Sequence, residues 1–347
     1  MQLGVYPPPH GGVQTNVVAI HERLEERGVK SSVISMSRHR HVGIPNVFFP
    51  TSALEVASLL VRLPADVVHF HIGGDISNRL IGLGAFLNAL PGRRSVLTLH
   101  SGGYPTSAQA RETRRVKVIH AVLRRFDALV GVNPEVKAFL ASSGIAAEKV
   151  HQLQPFPLLS RVKARSTSDP RLDAFCARQR PLLATVGLLE PEYDLPLQFK
   201  VLRLLRERYP QVGLVIVGSG SLRDELIKQI CAEPHNEHIL LAGDVPHPST
   251  IELIRRADVL LRTTLYDGDA ISVREALQLG TPVVATDNGM RPANVFLAPI
   301  GDAGAIAAQV TNVLGTDRKV KTAITSEPQR DGIDETLELY ESILPVG

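Results

Sequence analysis

The chain is poor in several things, and each shortage excludes a class of protein. It has two cysteines in 347 residues, Cys176 and Cys231. Their spacing fits neither a metal site nor a redox pair, and one disulfide would be a weak staple for so long a chain. Both thiols are therefore expected to be reduced and buried. A large excess of one charge is also missing: 38 Lys and Arg face 35 Asp and Glu, for a net charge of +3. Aromatic residues make up 5% and do not interleave with basic ones, so no nucleic-acid surface is expected. No run of 18 uncharged apolar residues occurs, which argues against a membrane span. The opening "MQLGVYPPP" has no basic region followed by an apolar one, so no signal peptide is read and a cytoplasmic placement is expected.

What the chain does have is regular alternation. With 44% hydrophobic and 21% charged residues it has the composition of a soluble globular protein, and its length is too great for one ordinary core. Short apolar runs alternate with longer amphipathic ones: "LGVY", then "GGVQTNVVAIHERLEERG" with Val13, Val17, Val18 and Leu24 on a helix stripe, then "SSVISM", "DVVHFH", "SVLTLH" and "DALVGV" with helices between them. The segment "ARETRRVKVIHAVLRRF" reads as one helix. A second series follows: "PLLATVG", "VGLVIVG", "HILLAG", "DVLLRT" and "PVVAT", again with helices between. Strands apolar on both faces, alternating with helices, predict parallel sheets covered on both sides. The fold class expected is α/β, with two doubly wound Rossmann-like domains over 1–160 and 170–328. The polar stretch 160–171 serves as linker, and a last helix within 333–347 is expected to pack back on the N-terminal domain. In such folds ligands sit beyond strand C-termini, so a cleft between the domains is the expected place for chemistry.

The loops after strands hold the candidate residues. "HGGV" puts Gly11 and Gly12 between a strand and a helix, where backbone can approach a phosphate or simply make a tight turn. "GSGSL" (218–222) has two of three dinucleotide-fingerprint glycines and no ribose carboxylate at the right spacing, which argues against nicotinamide or flavin. His100 ends "SVLTLH", and His69-Phe70-His71 ends the strand before it, with one ring on each side. No acidic or cysteine partner at ligand spacing suggests zinc. Three histidines at adjacent strand ends suggest a polar cleft wall. In "YDGDAISVREALQLGTPVVATD", Asp267 and Asp269 have the look of a divalent-metal pair. Yet the loop runs straight into a helix that carries Glu275 about one turn in. A loop carboxylate and a helix carboxylate can grip two hydroxyl-bearing parts of one ligand, while the helix N-terminus offers amides to an anion.

This block resembles that of the retaining glycosyltransferases of the GT-B fold, family 4 (glycosyl transferases group 1). That family carries E-G-F-G-x4-E-A-x3-G-x-P-V-V-A-T where this chain has D-G-D-A-I-S-V-R-E-A-L-Q-L-G-T-P-V-V-A-T. "HGGV", "DVVHFH", "TLH", "VIVGSGSLRDEL" and "LLAGDVPHPSTIELIRRADVLL" follow in the family's order. The resemblance implies a nucleotide-sugar donor and a sugar or lipid-linked glycan acceptor, with no cofactor and no metal. It implies that Glu275 meets the ribose, Asp267 the sugar hydroxyls, and the amides from Gly268 through Asp269 and Ala270 to Ile271 the sugar or diphosphate. Gly11, Gly12, Gly187 and Gly218 join the donor-binding set, and His100 lies near the reacting carbon. The Asp267–Asp269 pair is then a metal motif by coincidence.

The chain departs from the family where cations are expected. G-R-L-x3-K-G becomes "GLLEPEYD", with Leu188 for the Arg and Tyr193 for the Lys. Arg262 is the expected substitute, the alternative being a surface arginine, and Arg291 in "NGMRPA" is the next candidate. The activity expected is transfer of a hexose-type sugar to a hydroxyl in surface polysaccharide or glycolipid synthesis. A non-catalytic sugar-nucleotide or glycan-binding relative is the other reading, favoured by the two lost cations. A sugar-nucleotide epimerase on the same fold ranks last, since those lack the 266–286 block. The basic helix with Arg111, Arg114, Arg115, Lys117, Arg124 and Arg125 either rests on anionic lipid at the inner face of the membrane or forms a solvated face.

Overall fold

Strands that are apolar on both faces must be covered on both faces, and the chain meets that demand twice. The computed structural model describes residues 1–8, 11–37, 43–154, 169–266, 270–316 and 331–345. They fall into two units, one formed by residues 1–8 and 12–154 together with 331–345, the other by 169–316 together with Gly11.

The first unit runs β1 (Gln2–Gly4), α1 (Gly12–Glu26), β2 (Val33–Ser35), β3 (Val47–Phe48), α2 (Ala53–Arg62), β4 (Val67–Ile72), α3 (Asn78–Leu87), β5 (Arg94–Leu99), α4 (Ala108–Arg111), α5 (Thr113–Leu123), β6 (Ala128–Gly131), α6 (Pro134–Ala141) and β7 (Val150–Gln152). Its strands are parallel in the order β3-β2-β1-β4-β5-β6-β7. Alternate residues serve opposite faces. Leu3, Phe70, Leu97, Leu99 and Leu129 pack on one core, while Val67, Val96, Ala128 and Val130 pack with Ile20 and Leu24 of α1 on the other. Helix starts are capped as sequence chemistry demands: Ser52, Ser77 and Asn133 accept amide protons at the openings of α2, α3 and α6. The single helix expected over 110–126 is two, because Glu112 is extended between α4 and α5 (φ −74°, ψ 104°). The break frees α5 to lay Ile119 and Leu123 on the core.

The second unit runs α7 (Pro170–Arg178), β8 (Leu182–Val186), α8 (Leu195–Arg206), β9 (Gly213–Val217), α9 (Arg223–Ala232), β10 (Ile239–Gly243), α10 (His247–Arg256), β11 (Val259–Arg262), α11 (Ile271–Gln278), β12 (Val283–Thr286), β13 (Phe296–Ala298) and α12 (Ala303–Gly315). Its parallel order is β10-β9-β8-β11-β12-β13. Leu183, Leu214, Ile216 and Leu261 pack on α8 and α12, and Leu182, Ala184, Val215 and Leu260 on the opposite core. Both sheets are doubly wound, as the alternation predicts. The stretch read as linker lies outside the described residues up to 168, and its end already opens α7, where Asp169 accepts from the amides of Arg171 and Leu172.

α13 (Gly332–Ile343) returns to the first unit and packs on α1. Arg23, largely buried, pairs with Asp334 and lies 3.5 Å from Asp331, while Arg27 reaches Asp334 at 2.9 Å. Ile333, Leu337 and Tyr340 enter the core beside β4, β5 and β6. The expectation for the two thiols needs correcting: Cys176 is buried in the core, but Cys231 sits on the open side of α9 and is exposed. Among the described residues no helix is long and apolar enough to cross a membrane.

Candidate functional site

A parallel sheet whose strand order reverses leaves a crevice at the reversal, beyond the strand C-termini. In the second unit the reversal falls between β8 and β11. Arg262, the last residue of β11, lies there. It is 5% exposed, which excludes the surface-arginine alternative. Its Nη1 donates to the Val186 carbonyl at 2.8 Å, at the end of β8, and its guanidinium lies 4.7 Å from the centre of the Tyr193 ring. The residue standing where a lysine was expected thus carries the face on which a cation is held.

The glycines of this region have reasons of their own. A Cβ on Gly187 would come within 2.2 Å of the Tyr193 ring and 3.0 Å of Arg262 Nη1. Gly218, at φ +137°, would place one 1.8 Å from the Gly187 carbonyl oxygen. Only residues without side chains let the ends of β8 and β9 and the Arg262 head group pack this closely.

Glu275 sits one turn into α11 and is 5% exposed. Its Oε1 lies 2.6 Å from His247 Nε2, at the start of α10. Sequence reasoning missed His247: the two residues are 28 positions apart and no spacing rule links them. Ala270 precedes α11 and offers no side-chain oxygen to the helix start, so the amides of Ile271 and Ser272 head the helix unsatisfied by their own N-cap residue. The Ser272 hydroxyl turns to the Val186 carbonyl at 3.3 Å. Asp267, Gly268 and Asp269 lie outside the described residues. Arg291 bonds the Thr286 carbonyl at 3.0 Å and the Thr264 hydroxyl at 2.7 Å, which ties it to the ends of β11 and β12.

In the first unit the reversal falls between β1 and β4. Gly12 opens α1 just after β1, with Gly11 immediately before it. His100 follows β5 and is partly exposed; burial pushes its imidazole down to about 3. The other two histidines differ from expectation. Residues two apart on a strand share a face, so His69 and His71 lie side by side on one side of β4 with ring centres 3.9 Å apart and planes tilted by 34°, and Phe70 enters the opposite core. Both rings are buried, at 1% and 2% exposure, and so form an interior polar network rather than a cleft wall. Burial first, then the neighbouring imidazoles, holds both well below the ordinary histidine range. Among the described residues no cluster of three or more His, Cys, Asp or Glu could hold a metal ion. Of the basic helix, Arg115 is engaged by its own fold, at Asn78 and the Ile76 carbonyl, and Arg124 by the Ser143 carbonyl.

Known proteins share this plan. The family model for glycosyl transferases group 1 matches residues 175–334, and that for glycosyltransferase family 4 matches 10–156. The chain is 24% identical over 339 residues to the phosphatidyl-myo-inositol mannosyltransferase of Mycolicibacterium smegmatis, covering 89% of this chain and 82% of that one. In structure it resembles Anabaena HepE in complex with UDP and glucose (TM-score 0.72, 16% identity, 99% of this chain and 98% of that one). It also resembles OtsA in its apo structure (TM-score 0.69, 13% identity, 100% and 99%). At such identities the structural likeness is one of fold, and that fold is GT-B.

Proposed function

Since this chain belongs to the group 1 glycosyltransferases, family 4-like enzymes of the GT-B fold, we propose that it moves a hexose-type sugar from a nucleoside diphosphate sugar to a hydroxyl of a sugar or lipid-linked glycan, with retention at the anomeric carbon and without a metal. The observation that carries the reading is the pairing, at one strand-order reversal, of a buried cation with a buried carboxylate one turn into the next helix. Glu275, oriented by His247, accepts from the ribose hydroxyls. The amides heading α11 and the Arg262 guanidinium meet the diphosphate. Asp267 holds sugar hydroxyls, and His100 contacts the sugar near the reacting carbon. Gly11 and Gly12 let backbone approach the diphosphate.

The bond from the anomeric carbon to the diphosphate oxygen breaks as the acceptor oxygen bonds that carbon on the same face. The acceptor proton passes to the departing phosphate, whose growing negative charge needs a preorganised partner. Synthesis of a surface polysaccharide or glycolipid is the proposed setting. The mannosyltransferase relative and the UDP and glucose complex of HepE support a sugar-nucleotide donor. A binding-only relative is the second reading, favoured by Leu188 and Tyr193 at positions where the family carries cations. A thermal-shift screen over nucleoside diphosphates and their sugars, followed by assay of the stabilising donor with and without acceptors, tests both. Stabilisation without any hydrolysis or transfer supports the second reading. No stabilisation by any nucleotide sinks the first.

A further inference from the structure

The interior network of the first unit joins His100 to Thr98, along one face of the sheet, through an unbroken row of hydrogen bonds. His100 Nε2 lies 3.1 Å from His71 Nδ1, and His71 Nε2 lies 2.8 Å from Gln2 Oε1. Gln2 Nε2 donates to the Tyr340 hydroxyl at 3.3 Å. That hydroxyl contacts His69 Nδ1 at 2.5 Å, and His69 Nε2 lies 2.6 Å from Thr98 Oγ1. These rings are buried against one another and, among the described residues, bond no carboxylate, so each imidazole is neutral and carries one proton. An amide oxygen only accepts. His71 must therefore bear its proton on Nε2, and its Nδ1 can only accept. It accepts from His100, whose single proton is thereby placed on Nε2. The Tyr340 hydroxyl, receiving from Gln2, donates to His69, which donates to Thr98. Every proton in the row points the same way.

We propose that Gln2, His71 and Tyr340 are positioning residues that fix the tautomer of His100, so that its Nδ1 stands bare as an acceptor for a hydroxyl of the ligand. Among the described residues Nδ1 has no partner. The direction of the row hangs on the Gln2 amide. If that amide turned round, its nitrogen would donate to His71, each proton would reverse, and His100 would present an N–H instead. Tyr340, which comes from α13, places its hydroxyl 3.3 Å from the amide nitrogen against 3.5 Å from the amide oxygen, and the nearer contact to the nitrogen favours this sense of the row. That the hydroxyl belongs to a sugar rests on the proposed function; the tautomer does not.

The test is nitrogen-15 NMR of the full chain with labelled histidine, assigned with His100→Gln. In the wild type at neutral pH, His100 is expected to show a protonated Nε2 and an unprotonated Nδ1. In Tyr340→Phe the amide loses its anchor, and the two His100 nitrogens are expected to shift toward averaged values, while the half-buried His235 of the second unit keeps its wild-type pattern. With donor and acceptor in hand, the same variant should lose about 10-fold in kcat, the worth of one hydrogen bond, with little change in donor KM. A wild-type His100 protonated on Nδ1 or present as a mixture overturns the proposal, as does a variant spectrum unchanged at His100. If Tyr340→Phe does not fold, the wild-type spectrum still decides. If the protein turns over no nucleotide sugar, the functional reading falls while the spectra decide this one.

Discussion

At the strand-order reversal of the first unit the polar groups are imidazoles, an amide and a phenol, held neutral by burial and bonded to one another. At the reversal of the second they are an arginine and a glutamate, nearly as buried but held by a carbonyl, an aromatic face and a histidine. One topology carries two kinds of polar site. A buried charge is tolerated only when paired or bonded, and it then exerts a strong field on whatever enters beside it. A neutral network exerts little field but fixes the direction in which protons are offered. The second unit is thus suited to holding an anion, and the first to discriminating hydroxyls.

The sharpest way to break this contrast is to remove the charge. Arg262→Ala is expected to lower turnover by roughly 100-fold, comparable to losing one preorganised donor. Leu188→Arg in that background is expected to restore part of it. Normal turnover in Arg262→Ala, in protein whose thermal midpoint shows it folded, would move the role to another cation, Arg291 first. Next in size, Glu275→Ala should weaken binding of the free nucleoside diphosphate by about 1–3 kcal/mol, whereas Asp267→Ala should leave that affinity nearly intact and lower turnover. Titration calorimetry on both variants checks the division, and equal losses would refute it.

The first unit should respond to acid instead. His69, His71 and His100 have folded pKa values below the unfolded value, and His100 falls to about 3. The unfolded chain therefore binds more protons once the pH drops below about 6.5. Their contribution is fully present above that pH and is lost progressively as the pH falls below it, for His100 down to about 3, by on the order of 1.4 kcal/mol per pH unit for each linked proton. Hydrogen exchange, corrected for intrinsic rate, should show β4 and β5 losing protection between pH 6.5 and 5 faster than β8 and β11. Uniform loss would erase the contrast. The smallest effect expected is none: a chelator should leave transferase activity unchanged. Activity that vanishes with chelator and returns with manganese would reinstate the Asp267–Asp269 metal pair.

Much of this was legible in the sequence because apolar runs such as "VGLVIVG" can be little but strands buried on both faces. β3 has two residues, too short for any period to register. α12 was overlooked because "AGAIAAQVTNVLG" carries no charged face, although Asp302 caps it by accepting from the Ala305 amide at 2.9 Å. Arg262 at a strand end and Glu275 in a helix could be placed, but the carbonyl, ring and imidazole that hold them come from residues far along the chain. For the histidine network a signal was present: Gln2, His69, His71 and Thr98 are polar residues on strands otherwise filled with Val, Leu and Phe. Polar positions on buried strands must find one another.

The return of α13 to the first unit makes the order of synthesis matter. A ribosome delivers β1 through β7 early, yet Tyr340, Asp331 and Asp334 emerge only after the whole second unit. Until then His69 Nδ1 and the Arg23 guanidinium lack the partners that satisfy them in the finished protein, and the face of β4, β5 and β6 that Ile333 and Leu337 will cover stands open. Apolar surface left open in this way favours association with other chains. Completion of α13 closes the core and sets the proton order at His100 in one step, so an unfinished chain would be both adhesive and wrongly tuned.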